Sequence, residues 1–247
     1  MNNTARFGRG AATRWLAGMI CLTVWVLISR GVPSWADENR DAAHLVEKAR
    51  IAFESFAGDN NSGLFRDLLP RASGIFIAPQ VLKGGFIFGV SGGSGVLLVR
   101  DKNTGEWSGP AFYTLGGVSF GVQFGGSASE TILLVMTDRG ISSFLRHSFK
   151  LSADADMALG PFGAGVSASS VNFSADILSF SRSKGLFSGI AVDGAVVATR
   201  EALNQAYYGR QVSPADILVL HDVTNPEALG LIEEISKLTA QKSAAAQ

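Results

Sequence analysis

Two stretches of the chain carry the Gly-x-Ser-x-Gly spacing that sets a nucleophilic serine on a strand-to-helix elbow: Gly89-Val90-Ser91-Gly92-Gly93 and Gly117-Val118-Ser119-Phe120-Gly121. Both lie in glycine-rich, strand-like sequence that continues without a helix, so the elbow is not expected and a serine hydrolase is a remote alternative. The three histidines, His44, His147 and His221, are scattered, and none stands at metal-ligand spacing from a second ligand. Asp154 and Asp156 alternate along an expected strand and both read as solvent-facing. Asp101-Lys102-Asn103-Thr104-Gly105 resembles the opening of a calcium loop, but its glycine arrives one position early and the closing glutamate is missing. Phosphate-loop and dinucleotide-binding patterns are absent. The chain therefore reads as non-enzymatic, with no catalytic residue, metal or cofactor assigned.

What remains is a set of cations. Arg182, Lys184, Arg200 and Arg210 supply positive charge, and Ser181, Ser183 and Gly185 add hydroxyls and accessible amides of the kind that cradle phosphate. An anionic headgroup is the ligand such a group would take. The competing reading is a solvated turn beside exposed helix charges.

These residues need a scaffold, and the pattern predicts one of α+β class. From Glu38 to Ala57 the apolar residues Ala42, Leu45, Val46, Ala49, Phe53 and Phe56 recur at helical spacing on one face, opposite a face whose charges nearly cancel. That helix either docks on the core or presents Phe53 and Phe56 to a bilayer; membrane-surface helices usually carry a basic polar face, which favours docking. A short turn at Leu64 to Leu69 and a buried strand at Ser73 to Ala78 follow. Thirteen of the 29 glycines then fall between Gly84 and Gly126, interleaved with apolar residues at every second position, which predicts curved strands. Val96 to Arg100 and Trp107 to Tyr113 form a hairpin across the Asp101–Glu106 turn. Thr131 to Met136 is a further strand, Asp138 caps a short helix ending near His147, and short strands run from Phe149 to Val197. Helices are expected from about Val197 to Tyr208, from Pro214 to Leu220 with Ser213 as cap, and from Pro226 to Leu238, ahead of a frayed Ala244-Ala245-Ala246 tail. The whole predicts one domain, a curved, glycine-rich antiparallel sheet or barrel-like core covered by the N-terminal amphipathic helix and the C-terminal helices.

Ahead of that domain, Arg6, Arg9 and Arg14 precede an apolar run from Trp15 to Ile28 and a small-residue exit at Ser34-Trp35-Ala36. This is the pattern of a secretory signal spanning residues 1–36, cleaved after Ala36. The run is short for a membrane span, which disfavours an uncleaved anchor. The only cysteine, Cys21, lies inside it, so the mature chain, residues 37–247, carries no disulfide and relies on its apolar core. Removing the signal's four arginines leaves 17 cations against 21 acids, a formal charge of −4 that argues against nucleic acid as partner.

Six motifs in order resemble the SYLF domain family: Lys83-Gly84-Gly85-Phe86-Ile87-Phe88, Gly93-Ser94-Gly95-Val96, Gly105-Glu106-Trp107-Ser108-Gly109-Pro110, Gly160-Pro161-Phe162-Gly163, Ser181-Arg182-Ser183-Lys184-Gly185-Leu186-Phe187-Ser188-Gly189, and Arg200-Glu201-Ala202 with Tyr207-Tyr208-Gly209. The resemblance covers nearly all of the mature chain. It implies a non-enzymatic module that binds phosphoinositide membranes in eukaryotic members through an N-terminal amphipathic helix and basic residues, with some members binding actin. It makes Lys83, Arg182 and Lys184, with Phe53 and Phe56 on the helix, the candidate lipid contacts. The export signal points to a secreted bacterial branch, periplasmic or extracellular and peripheral on a membrane, where anionic phospholipid is the expected partner. A structural or partner-binding envelope protein, pairing through a sheet edge, is the alternative.

Overall fold

The computed structural model describes residues 35–85, 88–120, 125–160, 174–183 and 194–245. The expected export signal up to Ser34 and the candidate Lys184 lie outside the described residues. The chain divides into Met1–Asp37 and a compact unit, Glu38–Gln247.

The first described element is α1, Trp35–Ala57. Ala42, Val46, Ala49, Phe53 and Phe56 are all nearly or fully buried, which is what spacings of three and four demand of a helix that lays one stripe on a core. The helix stops at Gly58, whose N–H donates to the Glu54 carbonyl at 2.9 Å. A one-and-a-half-turn helix, α2 (Gly63–Leu68), and a 3₁₀ turn at Leu69–Arg71 follow, burying Leu64, Phe65, Leu68 and Leu69 under it.

Eight strands form one sheet: β1 (Gly74–Gly85), β2 (Phe88–Arg100), β3 (Trp107–Phe120), β4 (Gly125–Val135), β5 (Ser148–Lys150), β6 (Met157–Leu159), β7 (Ile177–Ser183) and β8 (Val196–Thr199). Their order is β5-β8-β3-β2-β1-β4-β7-β6, and the sheet curls as a half-barrel. The pairings are antiparallel, as expected, except that of the short edge strand β6 with β7, which is parallel.

Both faces of the sheet are packed in its lower half, which is why the strands there read as unbroken apolar runs rather than alternations. On one face Ile75, Ile77, Val96, Leu98, Phe112, Ile132, Leu134, Leu178 and Phe180 meet α1, α2 and the C-terminal helix. On the other, Phe76, Leu97, Tyr113, Leu133, Val135 and Val197 meet Phe144, Phe149, Ile217 and Leu218. Two glycines have a specific steric reason. The register slips between Ile77 and Gln80, and opposite that bulge a Cβ on Gly95 would sit 2.7 Å from the Ile77 carbonyl oxygen, and one on Gly93 2.4 Å from that of Gln80. Only bare backbone passes there.

After β4, Thr137 rather than Asp138 caps α3 (Asp138–Phe144), its hydroxyl accepting from the Gly140 N–H at 3.1 Å. Beyond β8 come α4 (Glu201–Tyr208), α5 (Pro214–Leu218), a 3₁₀ turn at Pro226–Ala228 and α6 (Leu229–Ala245). Ser213 caps α5 in a reciprocal capping box with Asp216, as the sequence predicts. The expected helix from Val197 begins only at Glu201, because β-branched Val196, Val197 and Thr199 pair with β3 instead. Asp154 likewise sits in a turn, accepting from the Lys150 N–H at 2.7 Å, not on a strand.

Candidate functional site

The structure separates the residues that sequence reasoning had grouped. Phe53 and Phe56, 2% and 0% exposed, are core residues. Their rings meet Phe65 edge-to-face at 6.1 and 5.1 Å, and Phe65 in turn meets Phe180 at 5.6 Å. With α1 docked, neither ring is available to a bilayer.

Arg182, near the end of β7, is 13% exposed and fully engaged. Its Nε donates to Glu130 Oε2 at 3.1 Å, its Nη1 to the Ser55 carbonyl at 3.2 Å and to Asp59 Oδ2 at 3.5 Å, and its Nη2 to Ser55 Oγ at 2.6 Å and to Glu130. The guanidinium also lies 5.8 Å from the Phe56 ring centre. Arg182 therefore ties the C-terminal end of α1 to β4 and β7, and its fork is spent on that tie. The neighbouring hydroxyls are also spent: Ser181 pairs with Thr131 at 3.0 Å and Ser183 donates to the Ala128 carbonyl at 3.1 Å. Arg200 and Arg210 stand elsewhere, before and after α4, so the expected cation cluster is dispersed. Lys83 is half-buried in the upper part of β1, paired with Ser91 and Ser127.

The feature that stands out is one the sequence reading missed. The sheet face that packs against α1 and α6 does not stop where those helices stop. Cross-strand register carries it upward through two rows. The first joins Ala128, Leu82, Gly92, Gly116 and Val196; the second joins Gly126, Gly84, Val90 and Val118. Leu82, Val90, Val118 and Val196 are 54%, 63%, 69% and 45% exposed. A Cβ added at Gly84 would meet nothing within 4 Å, and at Gly92, Gly116 and Gly126 only backbone oxygens at 3.7–3.8 Å. Among the described residues, the core face thus continues as an apolar surface with a glycine floor, its four bulky side chains 45% to 69% exposed. The signal was present in the sequence as single bulky residues each two positions from a glycine: Leu82 and Gly84, Val90 and Gly92, Gly116 and Val118.

Arg200 borders that surface. Its Nη1 donates to Ser94 Oγ at 3.0 Å, and Ser94 lies in the next row down, opposite Thr114. Arg200 is exposed and makes no ion pair among the described residues. The one acid on this face of the described strands β1 to β4, Glu130, is neutralised by Arg182.

Two clefts lie elsewhere. One of about 450 Å³ is lined by His147, Thr199, Glu201, Gln205, Gln211 and Asp216, with His147 Nδ1 3.1 Å from Glu201. Another of about 290 Å³ includes Asp101, Glu106, Trp107, Ser108 and His221, where Ser108 Oγ lies 2.9 Å from His221 Nε2. His221 Nε2 also lies 3.2 Å from the Leu218 carbonyl, to which it can only donate, and a nitrogen carrying that proton cannot serve as base for Ser108. Ser91 and Ser119 lie within β2 and β3, not on an elbow. Among the described residues no three His, Cys, Asp or Glu side chains are placed to hold a metal, and no helix is long and apolar enough to cross a membrane.

Residues 116–238, running from the upper part of β3 into α6, match the family described as Ysc84, "Las17-binding protein actin regulator". The chain carries a Ysc84-family domain. It is similar to the SH3 domain-containing YSC84-like protein 1 of Bos taurus, 30% identical over 175 residues that make up 70% of this chain and 50% of that protein. It is also similar to two Saccharomyces cerevisiae proteins: LAS seventeen-binding protein 3, 32% identical over 62% of this chain and 34% of that one, and Protein YSC84, 33% identical over 61% and 33%. The chain spans half or less of the length of these curated relatives. The Ysc84-family match takes in β7 with Arg182, β8 and α4 with Arg200 between them, and Val118 and Val196 of the open face.

Proposed function

We propose that the domain is a non-enzymatic lipid-binding module of an exported protein, attaching reversibly to membrane surfaces rich in anionic phospholipid. The observation that carries this reading is the open continuation of the sheet's core face. A soluble domain leaves single apolar residues exposed as a matter of course, but contiguous apolar rows that extend a packed face mark a surface meant to be covered.

The magnitude suits weak attachment. Fully burying a Leu or Val side chain is worth about 1.5 to 3 kcal/mol, and Leu82, Val90 and Val118 have only half to two-thirds of that left to gain, so together they supply about 3 to 5.5 kcal/mol. Each nearby cation adds about 1 kcal/mol on an anionic leaflet. The sum is comparable to a single lipid anchor, which gives marginal, salt-sensitive binding.

The protein should co-sediment with vesicles of phosphatidylglycerol and phosphatidylcholine at low salt and release at high salt. Failure to pellet at any anionic lipid content would end this reading. A second reading, a module that docks on a protein partner, draws on the family's description as Las17-binding and on the SH3-containing relatives; the same open face would serve it, and binding that ignores lipid charge would favour it.

A further inference from the structure

We infer that the cleft between the β2–β3 hairpin and the start of α6 is a binding site of its own, separate from the surface assigned above to lipid. Its occupant is a basic segment of a partner protein, with an apolar side chain beside its lysines or arginines. Every residue that lines the cleft is among the described ones, and it lies at the end of the sheet where β2 passes into β3.

Trp107, Ile217, Leu229 and Ile232 supply the apolar lining, and Leu229 is 55% exposed. At about 290 Å³ the cleft is at the small end of ligand pockets, a size for one or two side chains rather than a large cofactor. Trp107 is 6% exposed, and its indole N–H has no hydrogen-bond partner among the described residues. A buried donor left unpaired on a residue that lines a cleft is satisfied by an acceptor that the occupant brings. Ser108 offers a second donor. His221 Nε2 gives its proton to the Leu218 carbonyl and lies 2.9 Å from Ser108 Oγ, so that oxygen accepts there and its own hydrogen is left for a peptide carbonyl.

The charged part of the lining is acidic. Asp101 and Glu106 reach the cleft from the hairpin, and neither makes an ion pair among the described residues. The Thr104 and Asn103 N–H groups, at 2.8 and 2.7 Å, hold the Asp101 carboxyl ionised and in place. Asp222 and Glu227 are exposed on the segment that joins α5 to α6, and residues 217–232 contain no lysine or arginine. The cations beside these elements are engaged: Lys102 with Asp138, Arg100 with the Gly105 and Pro70 carbonyls, and Arg50, whose stem passes Gly230, with Glu47 and Glu54. That charge sets the occupant. An anionic leaflet is repelled here, and a second copy presenting the same cleft would set acid against acid. A basic peptide with an apolar anchor satisfies the carboxylates, the apolar lining and both donors together.

The mature chain, residues 37–247, has Trp107 as its single tryptophan, so its emission reports the cleft directly. The probe is an acetylated, amidated hexapeptide of alternating lysine and leucine, followed at low salt by Trp107 emission and by the anisotropy of a dye-labelled copy. Saturable binding with a shift in emission is expected, absent with glutamate in place of lysine and about tenfold weaker with alanine in place of leucine. Glu106→Lys should weaken binding about tenfold by turning attraction into repulsion. Glu201→Lys, the same charge change on the other cleft, should leave it unchanged, and urea midpoints confirm that both variants fold. No saturable binding up to millimolar peptide, equal losses in the two variants, or binding that leaves Trp107 emission unmoved would each overturn the assignment. A concentration-dependent dimer abolished by Glu106→Lys would give the cleft to a second copy and overturn it equally.

Discussion

Replacing Arg182 by alanine separates a structural tie from a headgroup contact. The guanidinium bridges β7, β4 and the end of α1 through Glu130, Asp59 and Ser55. Removing it leaves two carboxylates that are 32% and 23% exposed and therefore regain part of their hydration. Hydrogen bonds to charged groups contribute about 1.5 to 3 kcal/mol each when buried; discounting for partial exposure and for their non-additivity, the loss should be about 2 to 3 kcal/mol. In a domain of this size that lowers Tm by roughly 5 to 10 °C. Urea denaturation of Arg182→Ala, Glu130→Gln and the double variant gives the coupling energy directly, expected above about 1 kcal/mol. Hydrogen exchange should localise the loosening to residues 52 to 60. Arg182→Lys should recover only a fraction, since an ammonium cannot reproduce the fork. A stability change under about 0.5 kcal/mol together with lost vesicle binding would refute this reasoning and return Arg182 to the lipid site.

Two further outcomes concern other side chains of the sheet and its borders. Burial works to raise the Asp176 pKa, but bonds from Arg139 at 2.7 Å, from Thr137 and from the Asp156 N–H at 3.0 Å outweigh it and hold the carboxyl below its ordinary value. A depressed folded-state pKa contributes stability that is present above the unfolded value near pH 4 and lost as pH falls through the folded one, so acid unfolding monitored between pH 5 and pH 2 should be shallower in Asp176→Asn, with a loss at pH 7 of about 2 to 3 kcal/mol; an unchanged acid limb would contradict the assignment. Ser91 and Ser119, which lie within β2 and β3 rather than on a strand-to-helix elbow, should not react with a fluorophosphonate probe, and labelling of either by mass spectrometry would reopen the hydrolase reading.

Much of the scaffold was legible because local pattern and tertiary packing agree. The stripe on α1, the hairpin around Asp101–Glu106 and the Ser213 cap all depend on residues within a few positions of one another. The failures share a cause. Val197 to Thr199 reads into the following helix until β3 supplies a strand partner, which no local window contains. The partners of Arg182 lie 52 and 123 residues away in the chain, so its charge looked available. An amphipathic stripe by itself does not say what covers it: the near-cancelling charges opposite Phe53 and Phe56 favour docking in sequence, and the phenylalanine cluster around Phe65 decides for the core. The exposed sheet face is hard to read for the opposite reason: a glycine in a strand signals curvature or a bulge in sequence, whereas Gly84, Gly92, Gly116 and Gly126 leave surface bare among the described residues.

The central claim is most directly tested by nitroxide depth. In the mature chain, residues 37–247, which carries no native cysteine, spin labels at Val118→Cys and Ile51→Cys are compared on anionic vesicles by their accessibility to oxygen and to a water-soluble nickel chelate. The Val118 label should lie within the acyl region and the Ile51 label in water. A label at position 51 buried in the bilayer, with position 118 exposed to the chelate, would contradict the account.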